Sequence, residues 1–99
     1  MTQKVRNMTS SRGNDVPNQF IITDEEKGTT TFQSYNSIIA VKEYGKKTKI
    51  YEDYDYSITT GKYRNDFLEE GIAETRAKLK SGEYIAVDFE VAQWNLMYM

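Results

Sequence analysis

Ninety-nine residues carrying a net charge of −2, with thirteen basic and fifteen acidic residues, describe a single small domain. Neither cysteine nor histidine occurs, which excludes disulfides, thiolate zinc sites, cysteine nucleophiles and histidine-based triads. The acidic balance also argues against duplex DNA as a partner, since that ligand calls for a basic face.

Hydrophobic residues make up only 38%, but eight tyrosines and four phenylalanines supply the area a core needs. No apolar run approaches the roughly 18 residues of a membrane-spanning helix, and no signal-peptide pattern opens the chain. The expectation is a soluble, cytoplasmic protein with no membrane partner.

Residues 1–18 read as irregular, because Met8–Asp15 is dense in turn formers and Pro17 lacks a backbone N–H. Within it, Ser10-Ser11-Arg12-Gly13-Asn14 has the make-up of a backbone nest with a guanidinium beside it. Gln19–Thr23 and Gly28–Ser34 look like paired strands, joined by the polar Asp24–Lys27. Ser37–Glu43 is apolar on both sides, like a buried strand. Thr48–Glu52 alternates, with Lys49 and Tyr51 on one face and Ile50 on the other.

A helix is expected over Gly61–Glu70, its stripe formed by Tyr63, Phe67 and Leu68, with Gly71 breaking it. Ile72–Ser81 continues helically, with Glu74 spaced to pair with Lys78 and Gly82 as a stop. Glu83–Phe89 alternates as a strand with Ile85, Val87 and Phe89 inward. The order ββββ-α-α-β predicts an α+β domain over 19–89: one antiparallel sheet of about four to five strands, with one or two helices on one face. The apolar tail over 90–99, with Trp94, Leu96, Met97 and Tyr98, is expected to dock on the sheet or to join two copies into a homo-oligomer.

Chemistry concentrates in Asp53–Asn65, where three tyrosines, three hydroxyl residues, Lys62 and Arg64 surround one aliphatic residue, Ile58. Ser57, Thr59 and Thr60 can each cap a helix, and a helix starting here aims free N–H groups and its positive end at one region. Gly61-Lys62 is not a phosphate loop: Tyr56 stands where that motif needs glycine, and Tyr63 where it needs Ser or Thr. Asp53 and Asp55 are close enough in sequence to share a divalent ion, but two carboxylates alone do not define a metal site. With no nucleophile–base pair marked, neither catalytic residue nor cofactor is expected. The candidate binding surface is Tyr54, Tyr56, Thr60, Lys62 and Arg64, with Arg12 and Asn14 of the N-terminal loop beside them. Tyrosine next to arginine and hydroxyl groups is the composition of recognition surfaces.

Val5-Arg6-Asn7, Ser11-Arg12-Gly13-Asn14, Val16-Pro17-Asn18-Gln19-Phe20-Ile21-Ile22, Phe32-Gln33-Ser34-Tyr35-x-Ser37-x-Ile39-Ala40 and Tyr54-Asp55-Tyr56-Ser57-x-Thr59-Thr60-x-Lys62-Tyr63-Arg64-Asn65-x-Phe67-Leu68 form a pattern. It resembles small uncharacterised proteins of bacteriophages and mobile elements, over about residues 5–89. Tyr54 departs from the pattern, which has tryptophan there, and the tail after Phe89 is longer. The resemblance implies a non-enzymatic phage accessory protein that counters host defence by binding, either blocking a defence protein or sequestering a nucleotide signal. The alternative is a small nucleic-acid-binding or regulatory protein of phage replication.

Overall fold

The computed structural model describes residues 3–89. In chain order the elements are β1 (Gln3–Thr9), β2 (Asp15–Asp24), β3 (Thr29–Ser34), β4 (Ser37–Glu43), β5 (Lys49–Tyr51), a 3₁₀ turn over Glu52–Asp55, α1 (Ile58–Leu68), α2 (Ile72–Ser81) and β6 (Ile85–Val87). All six strands join one sheet in sequence order. The class is α+β, as expected, but the sheet has six strands rather than four to five, because the polar β1 joins it, and it is mixed. β1 to β5 form an antiparallel meander, whereas β6 runs parallel to β5. A parallel neighbour needs a long crossover, and the 3₁₀ turn, α1 and α2 supply it.

Register decides what is buried. One row crosses the whole sheet through Arg6, Ile21, Phe32, Ala40, Ile50 and Ala86. From Ile21 to Ile50 its members are almost fully buried, and they share a core with Tyr63, Phe67 and Leu68 of α1 and Leu79 of α2. Between the Phe32–Ala40 and Gln33–Ile38 pairs, β4 carries an extra residue, Ile39. That bulge lets consecutive residues Ile39 and Ala40 both be buried.

Three expectations are corrected. Residues 1–18 are not irregular, because β1 and the start of β2 occupy most of them. An edge strand facing water needs few apolar residues, so the polar Gln3–Thr9 gives no apolar alternation to read. Pro17 falls where the β1–β2 register shifts, a place that tolerates the missing N–H. In β6 the inward residue is Ala86, level with Ile50, while Ile85 is exposed. A one-residue slip in a period of two inverts Ile85 and Val87, but the chain turns at Asp88 (φ 62°) and Phe89 packs against the core as expected. Finally, α1 starts at Ile58 rather than Gly61 and ends at Leu68, with Glu69 in the left-handed region (φ 58°); the expected break does fall here, with Gly71 as the N-cap of α2. The tail calls, including oligomerisation through it, lie outside the described residues.

Two polar devices fix the helices to the sheet. Lys42 of β4 donates to the Phe67 carbonyl at the end of α1 (2.6 Å) and lies 4.4 Å from the centre of the Phe67 ring. A cation there complements both the unpaired carbonyls and the negative helix end. Glu70, between the helices, has a side chain only 2% exposed. It accepts from Lys78 Nζ (2.6 Å), Thr75 Oγ1 (2.7 Å) and the Tyr84 hydroxyl (2.8 Å). Lys78 therefore pairs with Glu70 and, at 3.8 Å, with Glu83, not with the expected Glu74.

Burial works to raise the Glu70 pKa, yet the bonds from Lys78, Thr75 and Tyr84 outweigh it and the net shift is downward. Burial and then the Glu70 carboxylate push the Tyr84 hydroxyl up to about 12. A lowered carboxylate contributes stability that is present above its unfolded pKa and lost as pH falls through the folded one. A raised tyrosine contributes below its unfolded pKa and loses that contribution as pH rises through the folded one. The cluster is therefore at full strength between the ordinary glutamate and tyrosine ranges. Glu70→Gln should lower Tm near neutral pH and flatten the acid side of the stability profile. The expected drop is about 4–8 °C for each kcal/mol lost in a domain of this size, read by thermal melts from about pH 3 to 8. An acid limb unchanged from the parent protein would show that Glu70 is not the group responsible.

Candidate functional site

The β3–β4 hairpin closes on two residues, Tyr35 and Asn36, at the end of the sheet where α1 begins. Between that turn, the 3₁₀ turn and the first residues of α1 lies a cleft of about 700 Å³. Its walls are hydroxyl groups. Ser57 is the N-cap of α1: its Oγ accepts from the Thr60 N–H (3.1 Å) and donates to Thr60 Oγ1 (3.1 Å). Thr60, 1% exposed, shares a 2.8 Å hydrogen bond with Ser34 Oγ at the end of β3. Opposite, Ser37 Oγ donates to Asp53 Oδ2 at 2.8 Å. Ile39 and Thr59 complete the lining, with the rings of Tyr35 and Tyr56.

The first residues of α1 line this cleft, and the Thr60 N–H, which has no carbonyl partner within the helix, is taken by Ser57 Oγ. Among the described residues no lysine or arginine lines it, and Asp53 is its one charged group. Below Ser34, its ladder partner Gln19 is fully buried, and neither amide atom has a hydrogen bond among the described residues.

Two aromatic residues stand at the mouth. Tyr56 is 73% exposed and Tyr35 48%. Tyr35 also has φ 55°, a left-handed conformation that favours glycine or asparagine. Its N–H donates to the Asn18 carbonyl (2.7 Å), which holds the turn against β2. A bulky residue kept in a strained conformation next to a cleft points to a use for its ring. Ile58, 94% exposed, does not line this cleft; it borders the groove between α1 and α2.

The residues singled out from sequence divide into groups. Tyr56 and Thr60 line the cleft, although Thr60 serves it as a buried support. Lys62 is exposed and borders a separate, shallower groove between α1 and α2, with Arg76 and Ile72. Arg12 and Asn14 sit at the tip of the β1–β2 hairpin, closed by Ser10 N–H to Asn14 O (2.8 Å) and Gly13 N–H to Ser10 O (2.9 Å). Neither of the two lines the cleft. Tyr54 is a core residue, 5% exposed and stacked on Phe89 with ring centres 5.4 Å apart.

Arg64 requires the largest correction. Expected as a surface anion ligand, it is 2% exposed. Its Nη1 donates to the Tyr54 carbonyl (2.6 Å) and to Asp55 Oδ1 (3.3 Å), and its Nη2 to Asn65 Oδ1 (2.9 Å). Asp55 also accepts from Arg76 of α2 at 2.8 Å. Beside the Tyr54 hydroxyl and the Asp55 carboxylate, the Arg76 guanidinium has its pKa raised further. Residue type alone cannot separate a guanidinium that binds a ligand from one that binds its own backbone.

Ser34, Tyr35 and Ser37 were not singled out as a site, although the Ser34-Tyr35-x-Ser37 string is part of the family-like pattern. Among the described residues no group of three or more carboxylates gathers to hold a metal ion, so Asp53 and Asp55 do not converge with a third ligand. No helix among them is long and apolar enough to cross a membrane.

Residues 3–85 match the model of a family of unknown function, DUF8033, and the chain belongs to that family. No curated protein and no solved structure matches it.

Arg64→Ala removes charge-assisted bonds to buried groups and should cost about 2–3 kcal/mol of folding stability. Lys62→Ala, on the surface, should stay within about 0.5 kcal/mol. Urea unfolding of both variants checks this, and equal effects would contradict the assignment of Arg64 as an internal strut.

Proposed function

Taking membership of that family as the premise, we propose that the protein is a non-enzymatic accessory protein that acts by binding, and that its partner is a protein. The recognition site is the hydroxyl-lined cleft with its rim of Tyr35 and Tyr56. The phage setting, and a role in blocking a host defence protein, come from the resemblance in sequence and belong to the same proposal.

The observation that carries the choice of partner is the charge of the cleft. A nucleotide signal would bring phosphates, and no basic side chain lines the cleft while Asp53 does. Arg64, the expected phosphate ligand, is committed to Tyr54, Asp55 and Asn65. Half-exposed tyrosines around a hydroxyl-rich hollow suit a polypeptide, which offers carbonyls and N–H groups to the floor and apolar side chains to the rim. A nucleic-acid partner is supported less well. It would need Arg6, Arg12, Lys62 and Arg64 on one face, but Arg64 is buried, Lys62 borders the groove between α1 and α2, and neither Arg6 nor Arg12 lines that groove or the cleft.

Tyr35 separates binding from folding. Tyr35→Gly relieves a strained φ and should leave stability level or slightly raised, within about 1 kcal/mol. It should also weaken partner binding by at least about tenfold, as loss of an aromatic anchor does. Tyr56→Ala should do the same. Native mass spectrometry of the tagged protein from host cells, beside thermal melts, reads both effects. The expected result is a stoichiometric polypeptide that both variants lose while remaining folded. A stoichiometric nucleotide in place of the polypeptide, or a polypeptide retained by both variants, would overturn the reading.

A further inference from the structure

Only one face of the sheet is covered by the helices. On the other face the central row crosses all six strands through Val5, Ile22, Thr31, Val41, Lys49 and Ile85. The next row adds Phe20, Gln33 and Ile38, and β5 and β6 add Tyr51 and Val87. None of these residues belongs to the buried core, which gathers the opposite row and both helices. At the two edges of the central row, Val5 is 63% and Ile85 43% exposed.

We propose that this open face is a dimer interface, covered by the same face of a second copy of the chain. Size supports it. Six strands about 4.8 Å apart, with three rows about 6.6 Å apart, make a face of roughly 500 Å² in projection. Two such faces together hide on the order of 1,200 Å² of accessible surface, enough for a specific interface. Shape favours a copy over an unrelated surface. A twisted sheet is saddle-shaped, and another sheet of the same twist packs on it about 10 Å away at a small crossing angle. A second copy supplies that twist by construction.

Charge fits as well. Lys49 is the single ionised group in the central row, and its long stem lets the ammonium reach the margin. The acidic end of the face is already engaged, Asp24 by the Lys27 N–H (3.1 Å) and Glu43 by Lys46 (3.4 Å). The arrangement leaves both helix-side clefts facing outward, so a dimer would present two recognition sites.

The test is the mass of the full chain in solution, by sedimentation or light scattering at about 10–100 µM, with variants that place charge on the face. The parent protein should run at twice the 11.5 kDa chain mass. Thr31→Lys places like charges near the middle of the interface and should weaken dimerisation by about 100-fold. Val5→Lys, at an exposed edge position that does not threaten folding, should weaken it less but measurably. Tyr44→Lys, on a turn residue 94% exposed and off this face, should leave the dimer intact. A monomeric parent protein overturns the proposal. A dimer that folded Thr31→Lys and Val5→Lys both leave unchanged also overturns it, by placing the contact elsewhere.

Discussion

A single buried guanidinium organises the half of the molecule where the candidate site lies. Arg64 projects from the middle of α1 and holds the Tyr54 carbonyl, Asp55 and Asn65 at once. A planar fork can satisfy several acceptors in fixed directions, which a lysine ammonium does not. The segment between β5 and α1 has few apolar anchors of its own, chiefly Tyr54 stacked on Phe89. Through Asp55 the same network reaches Arg76 and so ties α2 to the turn. With that turn fixed, Ser57 is placed to cap α1 and Asp53 to meet Ser37. The cleft is thus a consequence of how the crossover from β5 is pinned.

Polar pairing rather than apolar packing defines the cleft floor. Ser34 and Thr60 are both nearly inaccessible and bond to each other, joining the end of β3 to the first turn of α1. Buried hydroxyls in pairs specify a position well, because a shift of an ångström would leave two polar groups unsatisfied. On that rigid floor the exposed rings of Tyr35 and Tyr56 are free to contact a partner. The site therefore combines a fixed hydroxyl-lined hollow, acidic at Asp53, with an aromatic rim. The unused face of the sheet lies on the opposite side from both helices, so binding at one does not obstruct the other.

Much of the fold was legible because its signals are local. The turn formers at Asp24–Lys27 and Tyr44–Lys47, the stripe of Tyr63, Phe67 and Leu68, and the stop at Gly82 all correspond to observed features. What could not be read depended on non-local facts. β1 is an edge strand, so it lacked the apolar alternation that marks half-buried strands. The parallel pairing of β6 follows from the path of the crossover, which no window of residues encodes. Of the residues lining the cleft, Thr60 is legible through helix-cap chemistry and Tyr56 through the tyrosine-rich composition around it, and both signals are local. Arg64 and Tyr54 were misjudged as surface groups because their partners are backbone and core atoms brought in by folding. The Ser34–Ser37 turn carries no local signal of a site, because the partners of Ser37 and Ser34 lie 16 and 26 residues further along the chain.

Amide hydrogen exchange on the parent protein and on Arg64→Lys tests the role of this guanidinium most directly. The substitution keeps the charge and most of the volume but loses the planar fork. If Arg64 pins the crossover, exchange over residues 52–60 should speed up by about tenfold or more, while β2, β3 and β4 keep their protection. Protection over 52–60 that is unchanged, or lost together with the whole sheet, would contradict the account.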